Sequence, residues 1–265
     1  MMYTQVLMIV VAIWFAPIIY GQEAEAPATG DVADAPGTDS FKNGGWYEDA
    51  RATYYGDMQG GETRQGACGY TDTFRQGYGL YTTALSTPLF NDGYTCGACY
   101  EIMCANTPQA CLPGSIKVTA TNSCPPGSTG GWCDPPQKHF DLTLPMFIKI
   151  AKQIAGVVPV RYRRIPCVKR GGVRFETTGN PNFLMILPYN VGGAGDIKAV
   201  QIKGNKTGWM AMSKNWGQHW TTNVMLTGQQ LSFRVTTSDG VTKDFINVAP
   251  KTWGFGQTFN GRINF

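Results

Sequence analysis

The sequence has few charges, few histidines and few long helical patterns. Only 15% of its 265 residues are Asp, Glu, Lys or Arg, and two are histidines. Without a dense run of basic residues, the chain is a poor candidate for binding nucleic acid. Glycine and aromatic residues are abundant instead, with 33 glycines and 12% aromatics. Together with several strand-like runs, this composition indicates a loop-rich β protein.

No uninterrupted apolar run in the sequence reaches the ~20 residues that a membrane-spanning helix needs. The apolar run 6–20 has 15 residues, is broken by Pro17 and is followed by Gly21 and an acidic stretch. Although no Lys or Arg precedes it, this run fits a secretory signal peptide better than a membrane span. We therefore expect residues 1–21 to be a signal peptide, without a defined cleavage point, and the mature protein to be secreted.

Basic residues are absent from the stretch that follows. Residues 22–40 contain five acidic residues and much Ala, Pro and Gly. Because such a stretch buries too little apolar surface to fold, we expect residues 22–43 to form a disordered acidic tail. The remainder is basic, with 13 Lys or Arg against 10 Asp or Glu in residues 44–176 and 8 against 3 in residues 177–265. This excess favours weak attraction to an acidic matrix.

Cysteine is absent after position 167. The eight cysteines lie between positions 68 and 167, and an even number in an exported chain indicates up to four disulfides whose pairing the sequence leaves open. The spacing of Cys96 and Cys99 would suit zinc or a redox site. The lack of a second pair with this spacing and the small number of histidines argue against a zinc site, and the lack of a helix pattern after Cys99 argues against a redox site. We expect no metal and no cofactor. The end of the cysteines indicates a boundary between a disulfide-braced domain, 44–177, and a second domain, 178–265.

Short alternating runs separated by turns predict a β-barrel in the first domain. Runs at 51–55, 100–103, 115–121 and 157–162 alternate as half-buried strands do. One helix is predicted, with Thr143 as its cap and Gly156 at its end. Its apolar face is expected to consist of Leu144, Phe147, Ile148, Ala151 and Ile154.

The stretch 138–142, Lys-His-Phe-Asp-Leu, places Asp141 at the end of an extended run before that helix. On an extended backbone the side chain of His139, two residues earlier, points the same way. The pair is therefore predicted to face one groove. An equally weighted alternative is that His139 only braces a loop.

The second domain has strand-like runs at 183–189, 196–203, 231–237 and 241–248, which predict a β-sandwich. Trp209 is expected to be buried. Trp216 and Trp220 lie in a polar stretch that predicts exposed rings, which can stack on the apolar faces of sugars. Asn205 begins an Asn-Lys-Thr glycosylation sequon at a predicted surface turn.

Several motifs resemble the expansins, proteins that loosen plant cell walls. They are GACGY at 66–70, CGACYE at 96–101, GGWC at 130–133 and HFD at 139–141. The GGWC motif and the run Arg163–Cys167 resemble the α-expansin branch. The resemblance covers nearly all of 44–265. It implies a mainly β fold, with a six-stranded double-psi β-barrel related to family-45 endoglucanases followed by an immunoglobulin-like, cellulose-binding β-sandwich.

The resemblance also implies roles for individual residues. Asp141 matches an acid in the barrel groove that is the proton donor of the related glucanases. The other implied groove residues are His139, Thr53, Tyr55 and Asn122. The implied cellulose-binding platform consists of Phe183, Trp216 and Trp220. The implied disulfides are Cys68–Cys96, Cys99–Cys167 and Cys104–Cys111, which leaves Cys124–Cys133 as the remaining pair.

A second catalytic carboxylate is missing from the matching positions. Glycosidic bonds are usually cleaved by two carboxyl groups about 5 to 10 Å apart. Gly56 stands where the glucanases need an Asp, and Asp57, one residue later, would point to the other face of a strand. Asn122 cannot act as a base. We therefore expect a non-hydrolytic protein, not an enzyme, that loosens walls at acid pH.

The expected action is disruption of contacts between cellulose and matrix glucans such as xyloglucan. The resemblance implies a monomer without a stable protein partner, located in the cell wall or at the wall face of the membrane. A family-45-type endoglucanase and a carbohydrate-binding or defence protein that does not loosen walls are the alternatives.

Overall fold

A computed structural model describes residues 44–127 and 131–265 of the chain. The predicted signal peptide, 1–21, and the predicted acidic tail, 22–43, lie outside these residues. Within the described ranges, no helix combines the length and the apolar character needed to cross a membrane.

The first part of the described chain forms a closed six-stranded barrel. Its strands are β1 (Tyr47–Tyr55), β2 (Thr82–Leu85), β3 (Cys99–Cys104), β4 (Ile116–Ser123), β5 (Lys138–Thr143) and β6 (Val158–Ile165). They pair in the order β1-β5-β2-β4-β3-β6, and β6 pairs with β1 to close the barrel. The pairs β1–β5 and β2–β4 are parallel. The prediction of a six-stranded barrel in this part of the chain is confirmed.

The barrel interior is packed with aromatic and aliphatic side chains. Along β6 the residues alternate between buried and partly exposed, as expected for a strand with one face on a core. Phe140 of β5 and Phe147 are fully buried in the barrel core. Two short helices, α1 (Thr87–Phe90) and α2 (Leu144–Ile150), accompany the strands. The ring of Tyr54 lies 4.9 Å from that of Phe147 and so packs α2 against β1.

The predicted helix from Thr143 to Gly156 is wrong in its length. Helix α2 stops before Ala151, whose extended backbone forms an isolated bridge with Cys111. Ile154, predicted on the apolar face, is 94% exposed in a separate 3-10 turn. Thr143 occupies the N-cap position, but its hydroxyl accepts no hydrogen bond from the helix N–H groups and instead donates to the carbonyl of Leu80 at 2.7 Å. The bridge to the loop around Cys111 therefore ends the helix earlier than its apolar periodicity predicts.

The second part of the chain forms a two-sheet sandwich. Its strands are β7 (Arg174–Asn180), β8 (Phe183–Tyr189), β9 (Ile197–Gly204), β10 (Met210–Ala211), β11 (Ser213–Lys214), β12 (Trp220–Thr222), β13 (Leu231–Thr237), β14 (Thr242–Ala249) and β15 (Gln257–Asn260). One sheet has the order β10-β9-β13-β14 and the other β11-β12-β8-β7-β15. The rings of Phe175 and Phe233 stack between the sheets with centroids 4.4 Å apart. The predicted sandwich is confirmed, but its first strand begins at Arg174, so the boundary expected at 177 falls inside β7.

Four disulfides connect the eight cysteines, all of them before β7. The pairs are Cys68–Cys96, Cys99–Cys167, Cys104–Cys111 and Cys124–Cys133. These are the pairs that the resemblance implies. Cys167 also forms a backbone bridge with Gly193 of the sandwich, so the disulfide to Cys99 on β3 anchors the segment that leads from the barrel into the sandwich.

A buried ion pair joins the barrel to the sandwich. Arg164 on β6 donates to Asp196, immediately before β9, at 2.6 and 3.2 Å, and also to the carbonyl of Ala194 at 2.9 Å. Both charged side chains are less than 5% exposed. Ser238 donates a further hydrogen bond to Asp196 at 2.8 Å. Because the carboxylate is satisfied from several directions, the cost of burying both charges is offset.

Replacing Asp196 with Ala should destabilise the protein by about 3–5 kcal/mol, because Arg164 would keep a buried charge without its partner. The free energy of unfolding in guanidinium chloride, measured with the disulfides intact, tests this. Asp244→Ala is the matched control, since Asp244 pairs with Arg234 on the exposed face of the sandwich at 2.6 Å, and it should change stability little. Equal effects of the two substitutions would contradict a special role for the buried pair.

Candidate functional site

A threonine, a histidine and an aspartate meet on one face of the barrel. The parallel pairing of β1 with β5 places Thr53 beside Asp141. The Thr53 hydroxyl donates to Oδ1 of Asp141 at 2.7 Å and lies 2.7 Å from Nε2 of His139. A hydroxyl has one proton, so a donor to the carboxylate must accept from the Nε2–H of the imidazole. Because both side chains contact the same hydroxyl, His139 and Asp141 lie on one face of the barrel, as predicted.

Burial acts on the two titratable groups in opposite directions. His139 is only 1% exposed, and burial lowers its pKa to about 4. Burial raises the pKa of the half-buried Asp141 carboxyl, and the hydrogen bond from Thr53 partly opposes this rise. The imidazole is therefore neutral above about pH 5 and serves to orient Thr53, while Asp141 keeps its proton at a higher pH than an exposed aspartate does.

Tyr55 and Asn122 extend the same face. Burial raises the pKa of Tyr55 to about 12, with Asn122 and Asp141 as its polar neighbours. The Asn122 side-chain oxygen accepts hydrogen bonds from the backbone N–H groups of Ala67 at 2.7 Å and Ser123 at 2.8 Å. Asn122 therefore holds the loop that begins at Gly66, and Tyr55 stays protonated beside it. Thr53, Tyr55, His139 and Asp141 together are called the barrel groove below.

Trp132 and Arg51 border the barrel groove, although neither was among the predicted groove residues. A cleft of about 280 Å³ is lined by Thr53, His139 and the segment around the Cys124–Cys133 disulfide, including Trp132. The Trp132 side chain is 40% exposed, and the guanidinium of Arg51 lies 4.4 Å from its ring centroid. Arg51 precedes Thr53 by two residues on β1, so strand alternation was the signal that could have placed it here.

Asp57 does not supply a second carboxylate to the barrel groove. Strand β1 ends at Tyr55, and Gly56 turns the chain with a φ of +71°. Asp57 is exposed, and its Oδ1 accepts the backbone N–H groups of Gln59 and Gly61 at 2.9 Å each. These hydrogen bonds lower the pKa of Asp57. Asp57 is thus the side-chain cap of a turn.

The outer face of the five-stranded sheet carries exposed apolar side chains. Phe183 at the start of β8 is 38% exposed and Trp216 in the β11–β12 connection is 49% exposed. Met185, two residues after Phe183, is partly exposed on the same face, and the amide of Asn215 contacts its sulfur at 3.9 Å. Phe183, Met185 and Trp216 are called the aromatic platform below.

The prediction that Trp220 is an exposed platform residue is wrong. Trp220 is 3% exposed in the core of the sandwich. It is paired with Ile186, a fully buried residue of β8, so its ring faces the interior. The prediction that Trp209 is buried is also wrong, because Trp209 is partly exposed and its ring lies 4.6 Å from both Lys203 and Arg234. These two cations cover Trp209 on the outer face of the other sheet.

The aromatic platform lies against a loop of the barrel groove. The Trp216 ring packs 4.5 Å from the ring of His219, and the N–H of Gln218 donates to the carbonyl of Cys68 at 2.9 Å. Gly69 has a φ of +83°, and a Cβ there would lie 2.5 Å from His219 and 3.2 Å from Trp216. The loop that Asn122 holds at one end therefore contacts Trp216 at the other.

The predicted glycosylation sequon lies at the surface of the sandwich. Asn205 is exposed in the turn after β9, where its side-chain oxygen accepts from the N–H of Gln230 at 3.2 Å. No group of three or more His, Cys, Asp or Glu side chains within 44–127 and 131–265 is arranged to hold a metal ion.

Comparisons with known proteins identify both parts of the chain. Residues 173–250 match the family model described as the expansin C-terminal domain, and residues 82–162 match a barrel model described as lytic transglycolase. The chain is 68% identical to Expansin-A22 of Arabidopsis thaliana over all of this chain and 98% of that protein. It is 66% identical to Expansin-A23 of the same plant over the same shares.

A solved structure supports the fold. The crystal structure of the apo expansin of Clavibacter michiganensis is 18% identical and has a TM-score of 0.62, covering 80% of this chain and 94% of that one. A mutant of that protein in complex with cellohexaose matches with the same values. At this identity the likeness concerns the arrangement of barrel and sandwich alone. The full-length identity to the plant proteins goes further, and the chain belongs to the expansin family.

Proposed function

We propose that this protein loosens plant cell walls by holding a glucan in the barrel groove and cellulose on the aromatic platform, without cutting either polymer. The bound cellohexaose in the related bacterial complex supports a cellulose-type ligand. A matrix glucan such as xyloglucan is the proposed occupant of the barrel groove. The four disulfides suit an extracellular protein, and the proposed working form is a monomer in the wall.

The non-hydrolytic part of the proposal rests on the lack of a second available carboxylate beside Asp141 among the described residues. Cleavage of a glycosidic bond needs an acid on one side and a base or nucleophile on the other. Asp57, just after β1, is occupied as a turn cap, and Asp49 of β1 is paired with Lys138 at 2.6 Å. The amide of Asn122 cannot accept a proton at physiological pH. Asp141 can donate or accept a hydrogen bond to a sugar hydroxyl. The described residues that line the cleft beside Thr53 and His139 include no second carboxylate to complete hydrolysis.

The proposed stimulation of wall loosening by acid depends on the carboxyl of Asp141. Burial raises the pKa of Asp141, so acidification protonates it at a higher pH than an exposed aspartate. The protonated form can donate a hydrogen bond to a glycan oxygen, whereas the ionised form can only accept. We propose that the protonated form competes for the hydroxyl contacts that hold a glucan against its neighbours. Burial lowers the pKa of His139 to about 4, so its imidazole is neutral and adds no charge above about pH 5.

The aromatic platform is the proposed binding surface for cellulose. Trp216 touches the barrel loop through Gly69, and Phe183 and Met185 continue from it along the same sheet face. Flat apolar side chains bind the faces of pyranose rings by burying apolar area. A protein anchored in this way on cellulose would present its barrel groove to the glucans that coat the same fibre.

Asp141→Asn should abolish extension of heat-inactivated plant wall strips under constant load at acid pH, because an amide cannot exchange the proton. Soluble reducing sugar, assayed in the same bath, should stay at background for both wild type and variant. Asp57→Asn makes the same chemical change at the exposed turn, where Asn can still cap, and should leave extension unchanged. Full extension by Asp141→Asn would refute the role of Asp141, and sugar release by wild type would indicate a glucanase.

Thr53→Val should raise the pKa of Asp141 further, because the lost hydrogen bond stabilises the ionised form. Titration of the Asp141 carboxyl carbon by NMR measures this directly. Acid activation of wall extension should then begin at a higher pH than in the wild type. Thr236→Val, on the outer face of the sandwich, is the control and should leave both curves in place. An unchanged or lowered pKa in Thr53→Val would contradict this account of the groove.

Trp216→Ala should weaken adsorption to crystalline cellulose about tenfold, since loss of one stacked ring costs roughly 1–2 kcal/mol. Depletion of protein from solution by cellulose powder gives the affinity. Ile246→Ala removes an equally exposed apolar side chain, 50% against 49%, from the other sheet and should have no effect. Equal losses in the two variants would mean that adsorption is general and does not use the platform.

A further inference from the structure

A second cleft lies on the outer wall of the barrel, where β3, β4 and β6 run side by side. Its volume is about 450 Å³, within the range of about 300–1,000 Å³ typical of small-ligand sites. None of the four barrel-groove residues lines it. The charged residues that do are Lys117, Arg163, Lys169 and Glu101. The cleft therefore carries three positive charges against one negative charge.

Glu101 offsets only one of the three positive charges. Its oxygens are engaged by Arg163 and Ser115, and Lys117 also interacts with its charge. Oε2 accepts from Nε and Nη2 of Arg163 at 2.8 and 2.6 Å. Oε1 accepts from the hydroxyl of Ser115 at 2.7 Å. The Arg163–Glu101 pair is thus internally balanced, and the net charge of the cleft comes from Lys117 and Lys169.

Lys169 is held in the cleft with most of its hydrogen-bonding capacity unused. Its ammonium lies 4.4 Å from the ring centroid of Tyr78 and 3.3 Å from the hydroxyl of Thr119. An ammonium has three donors, and among the described residues only Thr119 accepts from it. Burial lowers the pKa of Lys169 to about 8. Keeping a charge at this position costs folding free energy that an anionic ligand would offset.

Aromatic surface completes the cleft. Tyr81, another lining residue, is 58% exposed, and the ammonium of Lys149 lies 5.1 Å from its ring centroid. An exposed ring of this kind can pack against a pyranose face. A ligand that uses both features has a carboxylate and a sugar ring in the same unit.

We propose that this basic cleft binds an acidic polysaccharide, with a uronate carboxylate placed between Lys169 and Lys117 and a pyranose ring on Tyr81. The site would be distinct from the barrel groove and the aromatic platform, whose ligands are neutral glucans. It would tether the protein to the charged part of the matrix while the other two surfaces act on glucan. The general positive charge of the folded chain, +3 in residues 44–176 from 13 basic and 10 acidic residues, would assist this attachment but does not by itself select the cleft.

Calorimetry with an oligogalacturonide and the full-length protein at mildly acid pH and low salt tests the proposal. Lys169→Gln and Lys117→Gln should each weaken binding about tenfold, as expected for losing one charge-assisted contact. Lys117 is exposed, so its substitution reports on binding even where Lys169→Gln disturbs folding. Adsorption to cellulose should be the same in both variants as in wild type.

The matched control is Lys251→Gln, which removes the same charge at an exposed position outside the cleft and should change affinity by less than about twofold. A loss in Lys251→Gln equal to that in the cleft variants would show a diffuse charge effect and overturn the proposal. Equal affinity for a polyglutamate peptide of similar charge would show that any polyanion, a protein included, fills the cleft. Absence of oligogalacturonide binding by the wild type would overturn it directly.

Discussion

The parallel pairing of β1 with β5 is the constraint on which the barrel groove depends. It sets Thr53 beside Asp141 across 88 positions of sequence, and the single hydroxyl of Thr53 then joins an imidazole to a carboxyl. Each group restricts the next: burial keeps His139 neutral, a neutral His139 donates to Thr53, and Thr53 directs its own proton to Asp141. A shift of one residue in this register would turn Asp141 to the opposite face. The chemistry of the groove is therefore a property of strand pairing as much as of residue type.

An ion pair, a disulfide and a close backbone approach join the barrel to the sandwich. The Arg164–Asp196 pair is buried between them, and the Cys99–Cys167 disulfide holds the chain that crosses from one to the other. Close approach at Gly69 then brings Trp216 against the loop that Asn122 holds. Under the proposed function, these contacts would set the separation between a glucan in the barrel groove and a cellulose chain on the aromatic platform.

Sequence reasoning succeeded where one strand or one motif contained the signal. Alternation over three residues was enough to put His139 and Asp141 on the same side, and turn-separated alternating runs were enough for both β domains. It failed where the position of a side chain or the end of a helix was decided by pairing with another part of the chain. Trp216 and Trp220 look alike in a polar stretch, yet Trp220 is turned inward by pairing with buried Ile186. Ile154 continues an apolar helical face, but the bridge between Ala151 and Cys111 ends that helix first. The basic cleft was missed for the same reason, because Lys117 and Lys169 are far apart in sequence and line one cleft only through the pairing of β3 with β4 and β6.

No second carboxylate is among the described residues that line the cleft beside Thr53 and His139, and this bears on why the pKa of Asp141 is raised. In a hydrolase, a second carboxylate nearby would itself raise the pKa of the acid by charge repulsion, and both would act on one bond. Here burial raises the pKa of Asp141 against the opposing effect of the hydrogen bond from Thr53, so no second carboxylate is needed to raise it. A protonated acid without a base can exchange hydrogen bonds reversibly with sugar oxygens but cannot deliver a nucleophile. Under the proposed function, wall acidification would control how many of these acids are protonated, and the release of a glucan would require no covalent step. Loosening without cutting is the outcome that this pairing of one buried acid with one neutral histidine favours.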